Sequence, residues 1–502
     1  VIKNSRLLYL TLIIMLSLVT FTGIALAADD ENEISLDVEM FIYNPDAEGD
    51  KVKLDPVTDA ETGDTVYYSY SNLIFLYIDH DGDEVTVNKR VIPDGGNETS
   101  VILSKIGENT ITIKVDTEDG VSVTKNLKVY YYNNATPANN TSFFLKMPSS
   151  GTITNVFDGS IKLYFPKNTY VMDKYGPAAS QYIMMIAKKD PSDGLENGDT
   201  YKSPNALAFE VWPVTIDEEG FKVNYEYELS SEGTITLTYD NNQVLRPEIL
   251  TVYYYKGEWE NIGGKVDTRK YTISAPFKGF GEYIVAQRSN NFSEFDKKGE
   301  ENFTVSWAKL YIDVLYAKGI IEPKINADKG SFGLVNNNNG EQTPATRLEF
   351  SKAIVKGLGL NIETDEERPK GLDGYAKGDG NSFTDDEKKI MNTAFINGIL
   401  QGTVEDGKRY FDGNGFLTRA QAAVVLARVL ELKLEMDEEK VRSQLQRTFG
   451  DNTNIEAWAA PAALAVSKAK IFTDKNFRPG EELTYAEMSK IVYIMLQRAG
   501  KL

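Results

Sequence analysis

An arginine follows directly on a threonine at two places where polar sequence gives way to an apolar stretch: Thr346-Arg347-Leu348-Glu349 and Thr418-Arg419-Ala420-Gln421. A Thr followed three residues later by Glu or Gln is a capping box, in which each side chain satisfies a free backbone N–H at a helix start. Thr484 and Glu487 repeat the spacing, with Tyr485 in the arginine's place. The threonines and their partners therefore have a structural reason to be present. The arginines lack one, because the first turn carries the positive end of the helix dipole and slightly disfavours a cation. A guanidinium beside free N–H groups is suited to hold a carboxylate. The position is expected to face outward, which makes Arg347 and Arg419 candidates for carboxylate recognition. The competing role is an exposed ion pair, common and weak.

Other chemistry is narrowly bounded. The chain has no cysteine and one histidine, His80. Thiolate metal sites, disulfides and a cysteine nucleophile are excluded, as is a two-histidine zinc motif. Asp79, Asp81 and Asp83 suggest calcium, but an EF-hand loop needs Gly and Glu where Glu84 and Arg90 stand. A hairpin turn through Asp79–Asp83 is the expectation. No cofactor is expected, although so acidic a chain leaves room for a looser structural calcium site. Neither a Gly-x-Ser-x-Gly elbow nor a phosphate-binding loop occurs, and no enzymatic activity is expected. Carboxylates are plentiful, but the sequence does not bring two to one cleft. Tyr253-Tyr254-Tyr255 reads as edge-strand packing with one ring exposed.

The elements that must position the arginines change character along the 502 residues. Residues 29–133 carry short runs of β-branched and aromatic residues between Gly, Asp and Asn turns, such as Thr110–Val115 before Asp119-Gly120. This patterning predicts a β-sandwich. Residues 134–140 read as a polar linker. Residues 141–290 are a second β region, with Thr234–Tyr239 alternating cleanly. From 291 to 502 the periodicity is helical, with helices expected at 307–318, 348–358, 387–397, 419–432, 458–470 and 485–499.

That last region repeats itself. One unit runs from Trp307-Ala308 through Gly319-Ile320-Ile321 to Thr346-Arg347. A second runs from Phe383-Thr384-Asp385 through Gly398-Ile399 and Phe411 to Thr418-Arg419. A third runs from Phe449-Gly450-Asp451 and Trp458-Ala459 through Lys470-Ile471 and Phe477-Arg478-Pro479 to Thr484-Tyr485. The pattern resembles the S-layer-homology family, with repeats at about 295–360, 383–432 and 449–499. The N-terminal regions resemble immunoglobulin-like and ZU5-like β-sandwich modules of bacterial surface proteins. The resemblance implies two all-β sandwich domains followed by an all-α bundle of pseudo-threefold symmetry. It also implies grooves between repeats that bind a pyruvylated secondary cell-wall polysaccharide. Arg347 and Arg419 would take the pyruvyl carboxylate. Trp307 and Trp458 would give flat faces for sugar, against a core role. Asp385 and Asp451 would orient an arginine or a hydroxyl, against a helix-capping role. Asp386 in the second unit's Trp slot, and Lys470 and Tyr485 in the third unit's Gly and Arg slots, predict one or two working grooves.

Lys3 and Arg6, the apolar stretch from Leu7 to Leu26 and Ala25-Leu26-Ala27 read as a signal peptide over 1–27. No later apolar run is long enough to span a bilayer. The net charge of −20 argues against nucleic acid as partner. The expected protein is secreted and held on the cell wall, as an S-layer or other structural component that self-associates laterally. The alternative is a polysaccharide-active enzyme or an adhesin displayed by the same anchor.

Overall fold

The computed structural model describes residues 34–502 apart from 44–50, 59–63, 70, 94–96, 132–135, 138–141, 147–152, 174–175, 178–182, 196–207, 218–219, 224, 245, 290–291, 293–294, 296–301, 325–330, 336–340, 365–366 and 378–382. The expected signal peptide and most of the expected linker lie outside the described residues. The N-terminal part is built of several β-sheets and the C-terminal part of helices. The chain divides into two compact units. The first takes residues through Lys189 with Phe209–Gly233 and Gly279–Gly281. The second takes Asp190–Ala208, Thr234–Lys278 and Glu282–Leu502.

The described residues of the first unit begin with ten strands: β1 (Leu36–Tyr43), β2 (Lys51–Leu54), β3 (Val57–Thr58), β4 (Thr65–Ser69), β5 (Leu73–His80), β6 (Glu84–Val87), β7 (Arg90–Val91), β8 (Glu98–Ile102), β9 (Gly107–Asp116) and β10 (Ser122–Tyr131). They form two sheets, ordered β2-β1-β5-β8 and β3-β4-β10-β9-β6-β7. Alternation does the sorting: β9 buries Ile111, Ile113 and Val115, with Thr112 half-buried and Lys114 exposed between them. These pack with Val38, Met40, Ile74, Leu76 and Ile78 of the opposite sheet in one core. The β9–β10 hairpin turns at Gly120, whose φ of 85° suits glycine.

The Asp79–Asp83 segment is not a hairpin turn. β5 and β6 belong to different sheets, so this segment carries the chain across the core. Asp81 Oδ1 accepts from the backbone N–H of Ser35 and Asp83 Oδ2 from that of Glu118. A Cβ at Gly82 would stand 2.3 Å from Val115 Cγ1, so the crossing needs glycine. Among the described residues no group of three or more His, Asp or Glu gathers around a metal position.

In the second unit, Leu250–Tyr255 lies between Trp259–Gly263 and the strand ending at Gln287. The three tyrosines are thus on an interior strand, and Tyr253 and Tyr254 are buried, contrary to the edge-strand expectation. Among its described residues the same unit holds seven α-helices: α1 (Lys309–Ala317), α2 (Arg347–Leu358), α3 (Asp385–Ile396), α4 (Arg419–Val429), α5 (Glu438–Thr448), α6 (Ala460–Lys468) and α7 (Tyr485–Arg498). α5 is absent from the sequence expectation, because Val441 and Leu445 are its only buried residues. All three expected capping boxes form, and Thr384 with Glu387 adds a fourth at α3.

The strands and α1 are locked by polar contacts. Lys318 Nζ donates to the Leu250 carbonyl, and Asn261 Nδ2 donates to that of Ala317 at 2.8 Å. Arg246 Nη1 meets Asp313 Oδ2 at 2.8 Å, while Ile249, Val314 and Ala317 pack beside it.

The segments entering α2, α4 and α7 pair with one another. Thr346 bridges Phe416, Thr418 bridges Glu482, and Pro344 bridges Thr484. The pairings run from first repeat to second, second to third and third back to first. The residues after Phe332, Phe411 and Phe477 share the left-handed backbone, with φ of 63°, 59° and 55° at Gly333, Asp412 and Arg478. All three phenylalanines are fully buried. The helix exits after α1, α3 and α6 also match, at Gly319, Gly398 and Lys470, with φ of 68°, 68° and 55°.

Candidate functional site

The first residue of α4 turns inward rather than outward. Arg419 is 2% exposed, and its Nε donates to the Phe477 carbonyl at 2.7 Å. The reason is the pairing of the entry segments: Arg419 N donates to the Glu481 carbonyl, which draws the side chain over the loop of the third repeat. Nη1 meets Glu487 Oε1 at 2.5 Å and Nη2 meets Asp474 Oδ2 at 2.7 Å. The guanidinium also lies over the Phe472 ring, 4.9 Å from its centre. Glu487 is shared further, since Arg478 Nη2 reaches the same Oε1 at 2.6 Å. Burial pushes the Asp474 carboxyl up, but Arg419, Lys490 and Arg478 together hold it below the usual carboxylate range.

These residues border a cavity of about 560 Å³, with Trp307, Gln342 and Thr484 on its rim. The indole of Trp307 is 41% exposed, and Lys490 Nζ stands 5.9 Å from its ring centre. Trp307 and Arg419, singled out from different repeats, thus line one cavity with an aromatic face and three cationic groups. Arg478, Lys490 and Phe472 escaped the sequence reading. The Phe-x-Pro loop marked Arg478, and the spacing Glu487-x-x-Lys490 put Lys490 on the same helix face.

Arg347 has the same setting with a different outcome. It is also buried, at 4% exposure, with Nε donating to the Phe411 carbonyl at 2.8 Å and N to that of Gly415. No carboxylate of a described residue lies within ion-pair distance of it. Burial pushes its pKa down, partly offset by the charge of Asp412, which itself lies 3.6 Å from Lys377 Nζ. In the third position Tyr485 is buried, and Lys324 Nζ lies 4.9 Å from its ring centre while pairing with Glu349 at 2.6 Å.

The remaining singled-out residues do not join the cavity. Asp451 accepts from the backbone N–H groups of Phe477 and Arg478, both at 2.7 Å, which holds the third repeat's loop in its left-handed turn. Asp385 is the first residue of α3 and pairs with Lys388 at 2.9 Å; the cap is Thr384. Trp458 is 55% exposed before α6, with its indole N–H on Glu456 Oε2 at 2.6 Å.

The loop and helix that close the cavity fall within one recognised domain. Residues 448–489 are an S-layer homology domain. An S-layer homology domain indicates anchoring at the cell surface, through cell-wall polysaccharide. The chain is also 26% identical, over 298 residues, to an amylopullulanase of Thermoanaerobacterium thermosulfurigenes. That alignment covers 58% of this chain and 14% of the amylopullulanase. Among the described residues no helix is long and apolar enough to cross a membrane.

Proposed function

We propose that three S-layer homology repeats over 291–502 form a pseudo-threefold bundle that holds the chain, without a covalent bond, on an anionic secondary cell-wall polysaccharide. The closed cycle of pairings among the entry segments of α2, α4 and α7 carries this reading. It extends the pattern of the matched third repeat to the other two, and each pairing sets a helix start against the next repeat's loop. Trp307 supplies a sugar-stacking face, and Arg347 and Arg419 head the grooves that receive the polymer. Trp307 lines the cavity of Arg419, and the same cycle of repeats assigns Trp458 to a groove headed by Arg347. Asp385 and Asp451 act through the protein's own groups, the first on Lys388 and the second on the Phe477 loop. The β-sheets are the displayed part, and lateral association of the surface layer would use them.

Co-sedimentation of the full chain with purified wall sacculi tests the reading, before and after acid removal of the secondary polymer. Binding that needs the polymer and weakens in Trp307→Ala and Arg347→Ala supports it. Binding that survives stripping defeats it.

The amylopullulanase match favours a second reading, a polysaccharide-active enzyme displayed by the same anchor. Release of reducing sugar from pullulan or amylose by the full chain would support it. No release from either leaves the anchor reading alone.

A further inference from the structure

The outer face of the sheet β2-β1-β5-β8 carries side chains that the sandwich core does not use. Alternation sends Val38, Met40, Ile74, Leu76 and Ile78 inward and so turns Glu39, Phe41, Phe75 and Tyr77 outward. The register fixes their neighbours. On the two central strands, β1 and β5, Phe41 pairs with Phe75 and Glu39 with Tyr77. On the β2 edge Lys53 stands beside Phe41, and Lys51 follows two residues away on the same face. On the β8 edge Glu98 stands beside Tyr77. Phe41 and Phe75 are half-buried and Tyr77 is 39% exposed. These rings line a cavity of about 260 Å³ that Glu39, Lys51 and Glu98 also border.

Charge is divided across this face. Lys53 and Glu39 pair with each other at 2.7 Å. Lys51 instead reaches in from β2 over the Phe75 ring, with Nζ 5.2 Å from the ring centre. Among the described residues no carboxylate lies within ion-pair distance of Lys51, and no cation within that distance of Glu98. The two unmatched charges come from opposite edge strands, with the aromatic pair between them. Such a face is complementary to itself. A two-fold axis lying in the plane of the face and crossing between Phe41 and Phe75 turns a second copy so that each Lys51 meets the other's Glu98. The phenylalanines of the two copies then meet at the axis and lose their water.

We infer that this face is a contact between two copies of the chain, in which Lys51 of each pairs with Glu98 of the other across Phe41, Phe75 and Tyr77. The inference deepens the lateral association proposed above by naming its surface, and it is independent of the polysaccharide ligand. A sugar ring is the less suited occupant, because the Lys51 ammonium takes the Phe75 face on which it would stack. Four strands at about 4.8 Å spacing make a face about 15 Å wide. That is small for a protein interface, so association in free solution is weak. Repulsion between chains of net charge −20 weakens it further until salt screens it. Confinement on a wall raises the local concentration to the order of millimolar, where a weak contact fills.

Sedimentation equilibrium of the full chain at physiological salt, at concentrations up to about 1 mM, tests this. The expected result is a monomer–dimer equilibrium. Lys51→Glu and Glu98→Lys should each weaken the dimer about tenfold or more, because each sets like charges together at both symmetric contacts. An equimolar mixture of the two variants should recover most of the wild-type association, since each supplies the charge that the other lacks. That recovery also shows both variants to be folded. A wild type that stays monomeric overturns the inference, as do variants that dimerise like the wild type or a mixture that recovers nothing. A monomeric wild type that binds a neutral glucose oligomer, with the binding lost in Tyr77→Ala, would give the face to a sugar instead. Sacculi binding separates this contact from the anchor. Glu98→Lys should sediment with sacculi as the wild type does, because the face is built from strands far along the chain from the repeats. A wild type that dimerises but does not sediment defeats the anchor reading and leaves the dimer contact standing.

Discussion

Glu487 joins two helices of different repeats through one carboxylate: Oε2 caps α7 by accepting from Thr484 N, and Oε1 lies 2.5 Å from Nη1 of Arg419 at the start of α4. A capping residue thus also neutralises a buried cation. Glu487→Ala should therefore cost about 3 kcal/mol, since it strands the buried guanidinium as well as removing the cap. Glu487→Gln should cost less, because the cap remains and Asp474 still faces Arg419. Urea unfolding of the full chain measures both. Asp474 adds an acid limb. Its pKa is lower folded than unfolded, so its contribution is present above the unfolded value and lost as pH falls through the folded one.

The helical region should not be stable when cut free at 291. Asp313 is 6% exposed in its side chain and pairs with Arg246, and Lys318, Val314 and Ala317 pack on Ile249 and Leu250. Cutting at 291 removes those partners and uncovers one face of α1. A fragment of 291–502 should be less stable than one of 190–502 by several kcal/mol, on the order of 3. Parallel denaturant titrations of the two fragments measure the gap. Equal stability would mean that the strand contacts contribute nothing.

Lys470 holds a left-handed backbone, φ 55°, where the other two repeats use glycine. Its side chain is exposed, so nothing is lost by removing it. Lys470→Gly should stabilise the chain by about 1 kcal/mol, read as a higher urea midpoint with unchanged slope. Gly319→Ala and Gly398→Ala should cost a similar amount at the matching exits.

The sequence was most legible where the signal is local. Capping boxes are set by four consecutive residues, and Thr346, Thr418 and Thr484 each form one. The alternation that marks β9 is likewise contained in ten residues. What depends on distant partners was not legible. Arg347 and Arg419 read as outward-facing because a helix start has an open side, but carbonyls 64 and 58 residues away draw them in. The Asp79–Asp83 segment reads as a hairpin because turn chemistry is the same whether the chain returns to its own sheet or crosses to another. The cavity of Trp307 and Arg419 joins different repeats, and only the cyclic pairing of entry segments brings them together.

Lys318 should give the chain an unusual alkaline dependence of stability. Its ammonium is buried at the end of α1 with the Leu250 carbonyl as hydrogen-bond acceptor, and burial brings its pKa down from 10.5 to about 7. Between about 7 and 10.5 the unfolded chain binds this proton and the folded chain does not. Stability then rises with pH across that window, because the unfolded state holds more protons. Below it the fold must bury a charge, and the rise is lost. Lys318→Met removes the titrating group and fills much the same volume. It should raise stability at pH 6 and flatten the slope between pH 7 and 10, by an amount on the order of a few kcal/mol across the range. Urea midpoints of wild type and variant at several pH values decide it. Parallel profiles would show that Lys318 stays charged in the fold, held by the dipole of the α1 C-terminus and the carbonyls around it.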